Sequence, residues 1–331
     1  MSGPMNGPVI GFARVAVIGA GLIGGSIALR LREVGLDVVV VDPDARTRGL
    51  AGEARLTVAA DVGPLLADRD LVVLAGPLDS MSATLTAVAA ACPSGVVIDV
   101  GSVKDVVHAA VAATDLGSRY VGCHPMGGTE QSGFEHADAG LLAGVTWAVT
   151  YPDDRTTPGW QAPVAAVVEL LVAAFGATVL VIDAAEHDRS VALISHLPHV
   201  VANALLGVVE ASDASAARHL VAGSFRDGTR VAGRNPVRTR NMLADNRVAL
   251  AGVLDRLVAE LQSYRAELND PYGAPLLDRL DAVARAADAV RRPDVAWTLC
   301  PDLGAVLNGA AVEGSTFLVR GTDVGLEWAT P

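Results

Sequence analysis

His124 closes a short apolar run, Arg119–Cys123, and is followed by Pro125 and a glycine-rich loop, so that Gly122–Gly133 reads GCHPMGGTEQSG. Imidazole titrates near neutrality, and a histidine in a loop at a sheet's carboxyl edge is a credible general base. A lone histidine is more often a structural group. Ser102 stands in a comparable place, where Val96–Lys104 (VVIDVGSVK) ends a strand in Gly101-Ser102. With Asp105 three residues on, its hydroxyl suits a helix-capping box. At the carboxyl end of a parallel strand it also suits a ligand. A third group is cationic: Arg218, Arg226, Arg230, Arg234, Arg238, Arg240 and Arg247 face only Asp227 and Asp245 between Ala217 and Arg247. Either a small anionic ligand or a solvated helix face accounts for that cluster.

A fourth feature carries its own context. Arg14–Gly24 reads RVAVIGAGLIG: a strand, Val15–Ile18, runs into Gly19-Ala20-Gly21-Leu22-Ile23-Gly24 and then a helix. Gly19 makes the tight turn, Gly21 lets backbone approach a pyrophosphate, and Gly24 lets helix pack on strand. Leu22 and Ile23 open the helix, whose unpaired N–H groups and positive dipole end face the phosphates. Asp42, at the end of the second strand, suits the ribose hydroxyls of NAD and repels the extra phosphate of NADP. Arg46 and Arg48 argue the other way, but with Asp42 in place the expected cofactor is NAD.

The elements that must position these groups are legible from periodicity. Val15–Ile18, Val38–Val41, Leu71–Leu74, Val96–Val100 and Val145–Val149 are short and β-branched, and helix-length stretches such as Leu22–Val34 and Met81–Ala91 lie between them. A further helix and strand, Ala162–Phe175 and Thr178–Ile182, complete the pattern. This predicts an α/β fold: a Rossmann-type parallel-sheet domain over 13–183. An all-helical domain is expected over 184–290, from Ala184–Val209, Ser212–Ala222, Pro236–Leu268 and Pro275–Val290, its apolar helices suited to packing against a second subunit. Residues 1–12 read as a flexible tail, and 291–331 as an extension of uncertain structure with one hairpin around Thr316–Glu327.

Composition excludes other classes. A net charge of -12 disfavours a nucleic-acid surface. No uninterrupted apolar run reaches the roughly 18 residues of a membrane span, and Met1–Gly11 lacks the charge and apolar core of a signal peptide. Cys92, Cys123 and Cys300 form an odd set without metal-ligand spacing, as free thiols in a reducing compartment would. A cytoplasmic protein is therefore expected. His196 and His199 do not read as a metal pair, because Pro198 separates them and no carboxylate is near; His196 reads as structural, and His187 and His219 have no motif. Of 25 basic residues only Lys104 is a lysine. A coding bias that replaces lysine wherever it is replaceable would leave this one where arginine does not serve.

Taken together, GSVK at Gly101–Lys104, HPMGGTEQSG at His124–Gly133, SHLPH at Ser195–His199 and FRDGTR at Phe225–Arg230 resemble the prephenate/arogenate dehydrogenases of tyrosine biosynthesis, in the right order from about Val15 to Tyr264. The resemblance implies a homodimer joined through the helical domain and NAD-dependent oxidative decarboxylation of prephenate, a small dicarboxylate, to 4-hydroxyphenylpyruvate. It also implies roles: His124 as base, Ser102 orienting it, Arg230 on a substrate carboxylate, His199 lining the pocket and Glu130 shaping it, with Thr129 and Arg226 as further contacts. Arogenate as substrate, another β-hydroxyacid-type dehydrogenase, and a non-enzymatic NAD-sensing protein are the alternatives. The last has no reason to keep Ser102, His124 and Arg230.

Overall fold

The computed structural model describes residues 11–151, 158–291, 295–300, 302–313, 316–322 and 325–331. The β-branched runs form strands because their branched side chains fill a pleated surface that is covered on both sides. Val15, Val17, Val38, Val40, Leu71 and Val73 join one apolar cluster. The alternate residues Ala16, Ile18, Val39, Val41, Val72 and Leu74 join a second. A sheet with a core on each face needs such unbroken apolar runs.

The strands are β1 (Arg14–Ile18), β2 (Asp37–Val41), β3 (Thr57–Ala59), β4 (Leu71–Leu74), β5 (Val96–Asp99), β6 (Tyr120–Pro125), β7 (Thr146–Tyr151), β8 (Thr178–Asp183), β9 (Thr298–Cys300), β10 (Phe317–Thr322) and β11 (Gly325–Ala329). They make one sheet in the order β3-β2-β1-β4-β5-β6-β7-β8-β10-β11-β9. β1 lies between β2 and β4, so the strand order reverses there and opens a crevice at the carboxyl ends.

The sheet is mixed rather than wholly parallel. β7 runs antiparallel to β6, because the chain between them carries only the short turn Phe134–His136 and not the crossover helix that a parallel return needs. The C-terminal stretch also departs from expectation: β10 pairs antiparallel with β8, and β11 and β9 follow. The expected hairpin is the β10–β11 pair; residues 323–324 between them lie outside the described residues. So do residues 1–10 of the expected tail, whereas Phe12 is buried in the core and belongs to the fold.

Two compact units result. One runs to His187 and takes in Ala296–Pro331; the other is Asp188–Val295. The second is helical: Leu197–Glu210, Gly223–Thr229, Pro236–Asp245, Arg247–Glu267 and Ala274–Arg291. The expected helix over 212–222 is only a 3-10 turn, Ser215–His219, in a Ser/Asp-rich segment whose short side chains compete for backbone hydrogen bonds. The expected long helix from Pro236 divides at Asn246, whose amide is buried and donates to Asp188 O at 2.8 Å.

The helical segment Ala184–Glu210 corrects the reading of hydropathy. It is 27 residues long and holds an 18-residue window with a mean hydropathy of 1.6, long and apolar enough by those two measures to cross a membrane, and that window is only 22% buried. Counting unbroken apolar runs missed it because Ser195, His196, His199 and Asn203 interrupt the run without lowering the average far.

Candidate active site

β1 delivers the chain to Gly19, whose N–H donates to Val41 O at 2.8 Å. Its φ of +90° favours glycine, and a Cβ would come within 2.8 Å of Gly76 N, just beyond β4. A Cβ on Gly24 would collide with Gly19 O, so helix Leu22–Glu33 can pack on the strand only with glycine there. At Gly21 a Cβ would meet nothing within 4 Å. That open cradle lies at the helix N-cap, where no side chain caps the first turn and no acidic residue occupies it. A pyrophosphate fits such a place, since uncapped N–H groups and the helix dipole both favour an anion.

Asp42, half-buried directly after β2, accepts from Ala20 N at 2.8 Å and from Asp44 N at 2.9 Å, tying the second strand to the glycine turn. The two arginines that argued for NADP are engaged elsewhere. Arg48 donates to the carbonyls of Asp42 and Pro43, both at 2.8 Å, and Arg46 pairs with Glu135 at 3.3 Å.

The loop after β6 packs on the same helix. A Cβ on Gly128 would sit 3.4 Å from Ile23, one on Gly25 would press on Phe134, and Asp138 N donates to Ser26 Oγ at 3.0 Å. His124, the penultimate residue of β6, pairs across the sheet with Ala148 and is half-buried. Its Nδ1 lies 3.0 Å from Nε2 of His187, a buried residue just after β8. One neighbour of His124 is thus a second histidine, which no sequence motif announced; the β6-β7-β8 pairing brings the two together. Thr129 and Glu130 are exposed in the loop, where Thr129 Oγ1 accepts from Gln131 N at 3.3 Å.

Ser102 is half-buried beyond β5. The expected capping box does not form: helix Asp105–Val111 takes Lys104 as its N-cap, without a side-chain cap. Beneath Ser102, Asp99 and Lys104 form an ion pair, both fully buried. All three cysteines are free and buried, and burial pushes the Cys123 thiol well above its ordinary pKa, against the opposing charge of Lys104.

In the helical unit the SHLPH segment holds a π-turn, Ala192–His196, ahead of Leu197–Glu210. Pro198 has no N–H and crowds the carbonyl four residues back, and widening the turn relieves both. His196 is buried with Nδ1 3.1 Å from Asn246 Nδ2, a structural contact as expected. His199 Nδ1 lies 2.9 Å from Ser195 O, and a carbonyl only accepts, so Nδ1 is the donor. Arg226 and Arg230 are both exposed, on and at the end of helix Gly223–Thr229.

A dinucleotide turn at a topological switch point, with a histidine pair that β6, β7 and β8 bring together in the same sheet, defines the class: an NAD-dependent dehydrogenase. Family profiles place it further, since "Prephenate dehydrogenase, nucleotide-binding domain" matches residues 27–177 and "Prephenate dehydrogenase, dimerization domain" matches residues 183–281. The chain belongs to the prephenate dehydrogenase family, enzymes of aromatic amino acid biosynthesis.

It is 32% identical to the cyclohexadienyl dehydrogenase of Zymomonas mobilis over 85% of this chain and 97% of that one. With the prephenate dehydrogenase of Bacillus subtilis the identity is 29% over 76% and 69%. Among solved structures, a Corynebacterium glutamicum protein described as a prephenate dehydrogenase by assignment superposes with a TM-score of 0.77 at 32% identity, over 91% of this chain and 97% of that one. Synechocystis arogenate dehydrogenase superposes at 0.73 and 28%, over 84% and 99%.

Proposed function

We propose that this enzyme oxidises and decarboxylates prephenate to 4-hydroxyphenylpyruvate. The observation that carries the reading is the His124–His187 pair at 3.0 Å. Of two ring nitrogens sharing one hydrogen, one donates and one accepts. With His124 Nδ1–H donating to His187 Nε2, the lone pair of His124 is on Nε2, and the charge that develops on proton uptake is stabilised through the donated bond. His124 then takes the proton of the ring hydroxyl as hydride departs from the same carbon. Bound NAD supplies the hydride acceptor, held by Gly19, Gly21, Leu22, Ile23, Gly24 and Asp42. Loss of CO2 returns an electron pair to the ring, which becomes aromatic, and the proton held on His124 goes back to the phenol oxygen. Ser102 orients His124 and the substrate.

Arg230 pairs with one substrate carboxylate, its fork matching the two oxygens, while Arg226, His199, Thr129 and Glu130 contact or shape the remainder. Arogenate is the second reading, and the observation that favours it is Asp227, three residues from Arg230 in the same helical turn, where a carboxylate suits an ammonium. Mixing enzyme, NAD and either substrate and following nicotinamide absorbance tests both. Turnover with prephenate is expected; reduction with neither removes the proposal, and reduction with arogenate alone replaces the substrate. In the same assay Arg230→Ala raises KM for substrate by about 10- to 100-fold, the worth of one charge-assisted pair. An unchanged KM sinks the carboxylate role.

The enzyme acts as a homodimer through its helical unit in a cytoplasmic setting. The apolar, little-buried helix Ala184–Glu210 supports this, since exposed apolar faces of that size are usually covered by a partner. Light scattering is expected to return about twice the chain mass; a monomer at working concentration would overturn the assembly.

A further inference from the structure

The single lysine of the chain is wholly buried, and its ion pair links the turn that carries Ser102 to the strand that carries His124. Asp99 ends β5, and besides Lys104 its carboxylate accepts from Gly101 N at 2.8 Å and from the Tyr120 hydroxyl at 2.5 Å. Gly101 is the residue before Ser102, so Asp99 sets the course of the Ser102 turn. Lys104 Nζ in turn donates to Cys123 O at 2.7 Å. Cys123 is the residue before His124, so the ammonium pins the backbone from which the histidine projects. The surroundings admit little else. A Cβ on Gly122 would collide with Thr150 Oγ1 and come within 3.2 Å of Lys104 Cδ and of His108 Nε2. His108 Nε2 is itself 2.9 Å from Thr150 Oγ1 and its ring stands edge-on to Tyr120.

A buried ion pair is a weak source of stability, because desolvation offsets most of the attraction and an apolar pair of like volume often does as well. What apolar side chains cannot do is direct one donor at Cys123 O and one acceptor at Gly101 N. An ammonium is compact and tetrahedral; a guanidinium is wider and planar, and the volume walled by Gly122, Thr150 and His108 suits the former. That accounts for a lysine here in a chain that otherwise uses arginine.

We infer that Asp99, Lys104 and Tyr120 form a positioning cluster that couples the Ser102 turn to the His124 strand and holds the base at its working geometry. The inference rests on the proposed role of His124. None of the three is a catalytic residue; they act through the backbone on either side.

The test is the charge-balanced double variant Asp99→Asn with Lys104→Met, which leaves no orphan buried charge. It is read by kcat, by the Kd for NAD and by the His124 ring signals in nitrogen-edited NMR, assigned by their loss in His124→Asn. Misplacing a base by a fraction of an ångström lowers kcat by about 10- to 100-fold, with the Kd for NAD within roughly twofold because the glycine turn is untouched, and the His124 signals move. Tyr120→Phe, which removes one hydrogen bond and keeps the packing, moves the same signals and lowers kcat by about two- to fivefold; it carries the test if the double variant does not fold. Wild-type kcat and unmoved His124 signals in a folded variant overturn the inference. Retained turnover in His124→Asn instead removes the base itself, so the two failures are distinguishable.

Discussion

His124→Asn lowers kcat by about 10²- to 10⁴-fold, the usual worth of a positioned general base. Asparagine is close to histidine in size and can still reach toward His187, but it accepts no proton at neutral pH. Its strand does not depend on the ring: Tyr120, Val121 and Cys123 of β6 are buried, and the ladder to β7 is backbone. Melting temperature therefore stays within a few degrees of wild type. The Kd for NAD stays within roughly twofold, because no phosphate contact is touched. His187→Asn gives a smaller loss, about tenfold, since it removes the partner that orients and stabilises the charged ring and not the base. Single-turnover absorbance with saturating substrate checks both. Near wild-type turnover in His124→Asn removes the histidine from proton transfer, and a larger loss in His187→Asn than in His124→Asn reverses their roles.

The parts of this site that were legible in the sequence are those whose chemistry is local. Gly19, Gly21 and Gly24 are read from spacing because each answers to a turn or a packing contact within a few residues, and Asp42 because it ends the next strand. The strands of the double-sided sheet were legible for a similar reason: a strand with a core on each face is an unbroken β-branched run. His187 was not legible, since its meaning comes from β6, β7 and β8 lying side by side, a pairing of residues 63 positions apart. Asp99 and Tyr120 were hidden in the same way, and Lys104 showed only as a compositional oddity whose cause is a buried carboxylate and a carbonyl from another strand. The capping box read at Ser102 failed, because helix Asp105–Val111 starts later than the capping pattern suggests. After residue 295 only the hairpin was legible: β9 is three residues long at the sheet's edge, and the antiparallel pairing of β10 with β8 joins residues far apart in sequence.

The glycine turn yields the second large effect, as a contrast between two alanines. Gly24→Ala puts a Cβ into Gly19 O, with Ala75 Cβ at 2.8 Å on the other side. Neither is a flexible side-chain end, so helix Leu22–Glu33 must back away from β1. Overpacking of this kind costs about 1–3 kcal/mol, seen as a fall of several degrees in melting temperature, and the phosphate cradle is displaced along with the helix. Gly21→Ala meets nothing within 4 Å, and its φ of -70° is open to any residue. Its melting temperature falls by at most about 2 °C, since only the modest N-cap preference is lost. Yet the added methyl occupies the space through which a pyrophosphate would reach the helix N–H groups. Losing one or two charge-assisted hydrogen bonds there weakens NAD binding by about 10- to 100-fold. Calorimetric titration of NAD beside thermal melting separates the cases: Gly24→Ala loses stability and binding together, Gly21→Ala loses binding alone. A Gly21→Ala protein with wild-type affinity would mean that the cofactor's phosphates do not lie over this turn, however well its three glycines match the pattern.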